Sequence, residues 1–229
     1  MDARLNGHGP IGRMRATKPG GSSQSVLRVV SWNLLRLVGA GVEDVAELIG
    51  RYQPDLMLMQ EATAEVSALP GLVGGTLHRE PMDRRVYGLA AWSSRPLPPP
   101  SALPLPVSRM PGRVPPRLSQ IISFAGVTFA NVHLSHGQFL NRLQLLRIVR
   151  NIEGPLAIIG DYNAVGPIRM RGFRDVGPRE PTHTANIIPF RLDRCMARGI
   201  DCQVAQVADR GPSDHHPIVL DLCVAEGAA

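Results

Sequence analysis

The sequence predicts an α/β protein in which two β-sheets pack face to face with helices outside. Three observations lead there. Apolar runs of strand length recur along the chain, segments with helical spacing separate some of them, and tight turn signals join others. Strand–helix–strand units mixed with hairpins bury both kinds of apolar face when two sheets pack together under outer helices. The length of 229 residues permits one large domain or two small ones, and 44% apolar residues supply a sizeable core.

The elements follow in order. Residues 26–32 form an apolar, β-rich run. Val42, Val45, Ala46 and Ile49 have helical spacing. Residues 55–60 read as a buried strand, 63–69 as a helix and 86–92 as a strand. Nine prolines lie between Pro96 and Pro116. Proline has no amide donor, so this stretch is a stiff surface loop or a sheet edge. The flanking segments read as strands of one sheet, which favours a single domain over two. Segments 117–124 and 127–133 form a hairpin around Ala125-Gly126. Phe139, Leu143, Leu146, Val149 and Ile152 make a helical stripe, with Arg142, Arg147 and Arg150 off it. Segments 156–159, 190–196 and 218–223 read as strands, and 202–207 as a weaker one. The expected folded unit is 26–223. Residues 1–25 read as a disordered basic arm and 224–229 as a frayed end.

Composition excludes several classes. No run of about 18 apolar residues spans a membrane, and residues 1–25 lack the apolar stretch of a secretory signal. Aromatics at 4% argue against a stacking platform for single-stranded nucleic acid. Cys195, Cys202 and Cys223 form neither a CxxC pair nor a framework, which fits a reducing, cytoplasmic setting without zinc. The net charge is +6, and Lys18 is the only lysine among the 25 basic residues. An arginine excess favours an anionic partner.

The informative polar residues stand at strand ends. The first strand stops at Trp32-Asn33, the next apolar run at Gln60-Glu61, others at Asn131-Val132-His133 and Gly160-Asp161-Tyr162-Asn163. Asp193 lies in Arg191-Leu192-Asp193-Arg194, and Asp214-His215 precedes the last strand. Each alone has an ordinary reading. Asn33 suits a turn, Glu61 a helix start, His133 a satisfied core position, and Asp193 a salt bridge to its flanking arginines. Together, in order, they can converge at one edge of a sheet, where clefts of α/β proteins form.

As an ordered set the motifs resemble the endonuclease/exonuclease/phosphatase superfamily. They are SWNL at 31–34, QE at 60–61, YGLAAWSSR at 87–95, NVHL at 131–134, GDYN at 160–163, RLD at 191–193 and SDHHP at 213–217. The resemblance covers about residues 26–223 and implies the deoxyribonuclease-I-like fold, a four-layer α/β sandwich. It implies a divalent cation, usually magnesium with manganese as the alternative, on Glu61 with Asn33 beside it and Asp214 as a second ligand or near neighbour. It implies that Asp161 deprotonates the attacking water and Asn163 holds phosphate and water. His215, oriented by Asp193, contacts the phosphate, and His133 binds a phosphate oxygen or protonates the leaving group. Setting aside Glu61, Asp161, Asp193 and Asp214 leaves 15 acidic against 25 basic side chains, a positive surround for an anionic phosphoester.

The sequence departs from the family pattern at three places. Leu35 stands where some family nucleases carry an acidic or amide residue. His133 stands where abasic-site endonucleases carry tyrosine, which argues against that specialised repair. Pancreatic-type nucleases pair this histidine with a glutamate from the preceding strand; here Arg84 and Arg85 are the nearby residues, candidates to grip phosphate. His136 and His216 read as bystanders, and His183 as the extra histidine closest to function. The expected activity is metal-dependent phosphodiester hydrolysis with nucleic acid the favoured substrate and no obligate protein partner. A lipid head group or small phosphoester is the alternative substrate, since the chain lacks an obvious DNA-gripping insertion. An inactive scaffold is disfavoured because Glu61, Asp161 and His215 are all present.

Overall fold

The computed structural model describes residues 25–108, 115–185 and 188–225. Its elements in chain order are β1 (Leu27–Asn33), α1 (Val42–Tyr52), β2 (Leu56–Ala62), a 3-10 turn (Ala64–Ala68) and α2 (Leu69–Val73). Then come β3 (Thr76–Pro81), β4 (Gly88–Ser93), β5 (Ser101–Pro104), β6 (Leu118–Phe124), β7 (Val127–His133) and α3 (Gln138–Asn151). The last are β8 (Leu156–Asp161), β9 (Arg174–Asp175), β10 (His183–Ala185), β11 (Ile188–Phe190), β12 (Asp193–Arg198), β13 (Ile200–Val207) and β14 (Ile218–Val224).

Two mixed six-stranded sheets result, one ordered β13-β14-β1-β2-β4-β3 and the other β5-β6-β7-β8-β12-β9. Strands β10 and β11 form a separate ribbon. The parallel pairs are β1–β2 and β7–β8, each crossed over by a helix. Strand alternation explains the layers. Leu27, Val29, Leu56, Leu58, Phe129, Ala157 and Ile159 fill the core between the sheets. Their neighbours Val30, Trp32, Met57 and Met59 face α1, α2 and the 3-10 turn, and Ala130, Val132 and Ile158 face Leu145 and Ile148 of α3. Apolar residues on both strand faces account for the continuous apolar runs in the sequence. The expected α/β sandwich is the observed one.

Several expected elements differ. The 190–196 strand divides. Tyr162 donates its amide to Leu192 O at 3.0 Å, and the Leu192 and Asp193 amides donate to Thr182 Oγ1, so the chain turns there. The 63–69 helix is a 3-10 turn followed by α2. Strand β3 escaped notice because its TLHREP sequence is polar and only partly buried. The proline-rich stretch supplies β5, which is an edge strand as its composition allows. In α3 the expected stripe is not the buried face: Phe139 is 78% and Leu143 38% exposed. Asn141, Gln144, Leu145 and Ile148 are buried instead. The Gln144 amide oxygen accepts from Ser135 N at 2.9 Å and its amide donates to Pro106 O at 2.9 Å, so a hydrogen-bonded loop overrides the apolar pattern. The expected arm at 1–25 lies, but for Ser25, outside the described residues. At the other end Val224 still pairs with Ile200, and 226–229 lie outside.

Candidate active site

The inter-sheet face changes chemistry along its length. Two residues beyond Val29 comes Ser31, beyond Leu58 comes Gln60, and beyond Phe129 comes Asn131. These form a buried polar layer. Gln60 donates to Asn131 Oδ1 at 2.7 Å and Ser31 Oγ at 3.1 Å. Asn131 donates to Met59 O, Ala90 O and Gln120 Oε1 at 3.1–3.2 Å, tying the two sheets together. One more step of the period brings Asn33, His133 and Asp161 to the rim. Strand β12 runs antiparallel to β8, so Asp193 enters opposite Asp161.

Glu61 reaches the same rim by a different device. Regular alternation would send it toward the helices with Met57 and Met59. A bulge between Gln60 and Ala62, with Glu61 at φ +56°, turns it back into the cleft. A non-glycine residue in the left-handed region is strained and is held there by its surroundings.

Asp161 is the hub. Its Oδ2 accepts from Asn33 Nδ2 and Asn163 Nδ2, each at 3.1 Å, and its Oδ1 accepts from the Asn163 amide at 2.8 Å. His133 Nε2 lies 3.4 Å from Oδ2 and 3.9 Å from Glu61 Oε1. His215 Nε2 lies 3.9 Å from the same Oδ2. His215 Nδ1 is 2.8 Å from Asp193 Oδ2. The 213–215 turn is fastened to β1: Ser213 Oγ donates to Asn33 O at 2.7 Å and Trp32 Nε1 to His215 O at 2.9 Å.

Electrostatics divides the roles. Burial pushes the Asp161 carboxyl up, His215 and the surrounding donors pull it down, and it settles at about 6. Burial alone would lower His215, but Asp193, Asp161 and Asp214 outweigh it and raise the imidazole to about 10. His133 is pushed well below the usual histidine range by burial and then by Arg117 and the other cations. One histidine is therefore cationic and the other neutral at pH 7.

The expected residues do not all stand together. Asn33, Glu61, His133, Asp161, Asn163, Asp193 and His215 meet in one cleft. Asp214 Oδ2 instead pairs with His183 Nε2 at 3.3 Å, and the His183 and His215 rings lie 4.5 Å apart. His183 thereby borders the cleft through His215. Arg84 is a solvated turn residue beside Asp83, and Arg85 is likewise exposed; neither is hydrogen-bonded to the cleft. Asp193 bonds His215, not its flanking arginines, which pair with Asp175. Among the described residues His133 Nδ1 is buried without a hydrogen-bond partner.

Two residues went unnoticed in the sequence. Arg36 Nη1 holds Glu61 Oε2 at 2.9 Å while its guanidinium stacks 5.0 Å from the Tyr87 ring centre. Arg117 is buried immediately before β6, within reach of the charges of Asp161 and Glu61. Neither belongs to a motif; only the local richness in arginine hinted at them.

The cleft fits a hard divalent cation. Glu61 already takes a cationic group on one oxygen, Asp161 offers carboxylate oxygens, and Asn33 offers an amide Oδ1 that also accepts from the Leu35 amide at 3.1 Å. Two tighter carboxylate–histidine clusters, His183–Asp214–His215 and Asp161–Asp193–His215, are poorer candidates. Both rely on His215, and a protonated imidazole has no lone pair to give.

A model of the Endonuclease/Exonuclease/phosphatase family matches residues 30–215. No curated protein matches the sequence at a significant level. Solved structures do. A Bacteroides vulgatus endonuclease/exonuclease/phosphatase shares 17% identity at a TM-score of 0.73, covering 88% of this chain and all of its own. A Beutenbergia cavernae counterpart shares 20% at 0.66, over 89% of this chain and 72% of its own. D. rerio TDP2, complexed with single strand DNA product, shares 18% at 0.68, over 86% and 99%. At these identities the likeness is one of fold.

Proposed function

Because the chain belongs to the endonuclease/exonuclease/phosphatase family, we propose that it is a divalent-cation-dependent phosphodiesterase with nucleic acid as its favoured substrate. The observation that carries this reading is the convergence on Asp161 of Asn33, Asn163, His133 and His215 within 4 Å, with Asp193 behind His215.

Phosphodiester hydrolysis needs a positioned water, neutralised non-bridging oxygens and a stabilised leaving oxygen. Asp161 accepts the proton of the attacking water; a carboxyl that titrates at about 6 is matched to neutral pH. Asn33 and Asn163 fix its orientation. His215, kept cationic by Asp193, donates from Nε2 to a phosphate oxygen. His133, neutral and buried, lies where it can hydrogen-bond a second oxygen. Glu61 and Asn33 would hold the cation, magnesium or manganese, which supplies further charge neutralisation at the phosphate. The surplus of arginine outside the cleft draws in a polyanion. The DNA complex of a protein with this fold supports nucleic acid as the substrate class.

A lipid phosphodiester is the second reading. Leu37 and Val38, 72% and 78% exposed, form an apolar tip four and five residues past Asn33. A magnesium-supplemented panel of plasmid DNA, RNA, a chromogenic phosphodiester, a chromogenic monoester and sphingomyelin separates the readings. Cleavage of nucleic acid that stops with chelator is expected. Sphingomyelin hydrolysis alone would transfer the assignment to lipid, and hydrolysis of the monoester alone would make the chain a phosphatase.

A further inference from the structure

We propose that the groove between α3 and the 164–170 loop binds an unpaired strand of nucleic acid leading away from the scissile phosphate. Phe139 stacks on a base there, and Arg142 and Arg169 contact phosphates. The inference rests on the phosphodiesterase reading and deepens it by naming the form of the substrate.

The groove is a cavity of about 660 Å3. It begins beside the catalytic cleft, for its lining includes Ala164, the neighbour of Asn163, and Asn141, whose side chain donates to Tyr162 O. One wall carries Phe139 and Arg142, spaced i, i+3 on α3. The other carries Val165, Pro167, Ile168 and Arg169. This second wall is held in place. Arg194 donates from beneath to Ala164 O at 3.2 Å and Gly166 O at 2.8 Å, and Gln138 donates to Val165 O at 3.5 Å.

Charge and shape select the occupant. Among the described residues neither Arg142 nor Arg169 has an ion-pair partner. Asp175, which lines the adjoining depression, is already taken by Arg191, Arg194 and Arg179 at 2.7, 3.2 and 3.6 Å. The groove is therefore cationic with no acid left to compensate, and it suits a phosphate-bearing chain. Aromatic residues make up only 4% of the sequence, yet one of the five phenylalanines is 78% exposed at this wall. An exposed ring that lines one groove with two guanidinium groups, neither ion-paired among the described residues, matches a base flanked by phosphates. Stacking on a side chain needs a free base face, which a duplex does not offer.

The test measures binding apart from turnover. The full-length protein in EDTA is titrated into a fluorescein-labelled 12-nucleotide single-stranded DNA, and anisotropy is read at several salt concentrations. Phe139→Ala should weaken binding by about tenfold. Arg142→Ala with Arg169→Ala should lower the slope of log affinity against log salt by about 1.4, at about 0.7 per contact. Arg150→Ala, which removes the same charge at the far end of α3, should leave that slope unchanged. Wild-type affinity in Phe139→Ala, an unchanged slope in the double variant, or tighter binding of the corresponding duplex overturns the proposal. So does binding of sphingomyelin vesicles in place of the oligonucleotide. The two readings fail separately: cleavage of DNA with groove variants that bind normally sinks only the groove, whereas strand binding without any phosphoester hydrolysis sinks only the catalytic assignment.

Discussion

The Asp193–His215 pair connects chemistry to stability. Its imidazole is raised to about 10 in the fold from an ordinary 6.5. A raised pKa contributes stability that is complete below about 6.5, declines as pH rises, and is gone above about 10. Asp193→Asn should remove most of that contribution, on the order of a few kcal/mol. Thermal unfolding between pH 6.5 and 10 should show wild type losing its advantage over the variant across this window; parallel curves would refute the pair. Asp161→Ala and His215→Ala should each lower phosphodiester turnover by about a hundredfold or more while circular dichroism stays native. Full activity in both would end the assignment. Arg36 permits a sharper comparison. It occupies one oxygen of Glu61 and is half-exposed, so removing it relieves competition worth less than about 1 kcal/mol. Arg36→Gln should bind Mn2+ a few-fold more tightly by calorimetry, and weaker binding would show that the guanidinium helps to build the site. At this scale the sequence displayed the motif residues but not their partners. Asp193 sits between two arginines in the chain and yet faces a histidine, because strand alternation outranks sequence adjacency.

At the scale of elements, the buried strands were legible because both faces are apolar, and the hairpin because Ala125-Gly126 turns it; both residues have positive φ. Edge strands and α3 were not. Edges carry little apolar signal, and α3 turns amides inward to hold loops. The bulge of β2 was also hidden, since nothing in QEA announces that Glu61 will turn back into the cleft. Gly160 shows how tightly the sheet positions the site. It precedes Asp161 at φ +139°, and a Cβ there would lie 2.1 Å from Val132 O. Gly160→Ala must push β8 away from β7, and with it the register of Asp161 against His133. The cost should reach about 3 kcal/mol or more, a fall in Tm of roughly 6–12 °C. A variant melting within a degree or two of wild type would show that the pairing is looser than its geometry.

On the scale of the whole molecule, the cleft is a seam. Asn33 and Glu61 come from one sheet, and His133, Asp161 and Asp193 from the other. The seam gathers carboxylates that repel one another, and the polar layer of Gln60 and Asn131 beneath it holds the sheets in register against that repulsion. A cation bound at the seam relieves the repulsion and exists only in the folded state, so it must stabilise the fold by mass action. Ten millimolar Mg2+ against EDTA should raise Tm by several degrees if it exceeds the dissociation constant about a hundredfold, a gain of about 2.7 kcal/mol. Glu61→Gln should lose most of the shift yet melt like wild type in EDTA, since among the described residues its carboxylate accepts a hydrogen bond only from the half-exposed Arg36. A magnesium shift undiminished in Glu61→Gln would move the cation away from the Asn33 side of the seam. It would favour Asp214, the second metal ligand that the 213–217 motif suggested, whose Oδ1 is buried without a hydrogen-bond partner among the described residues.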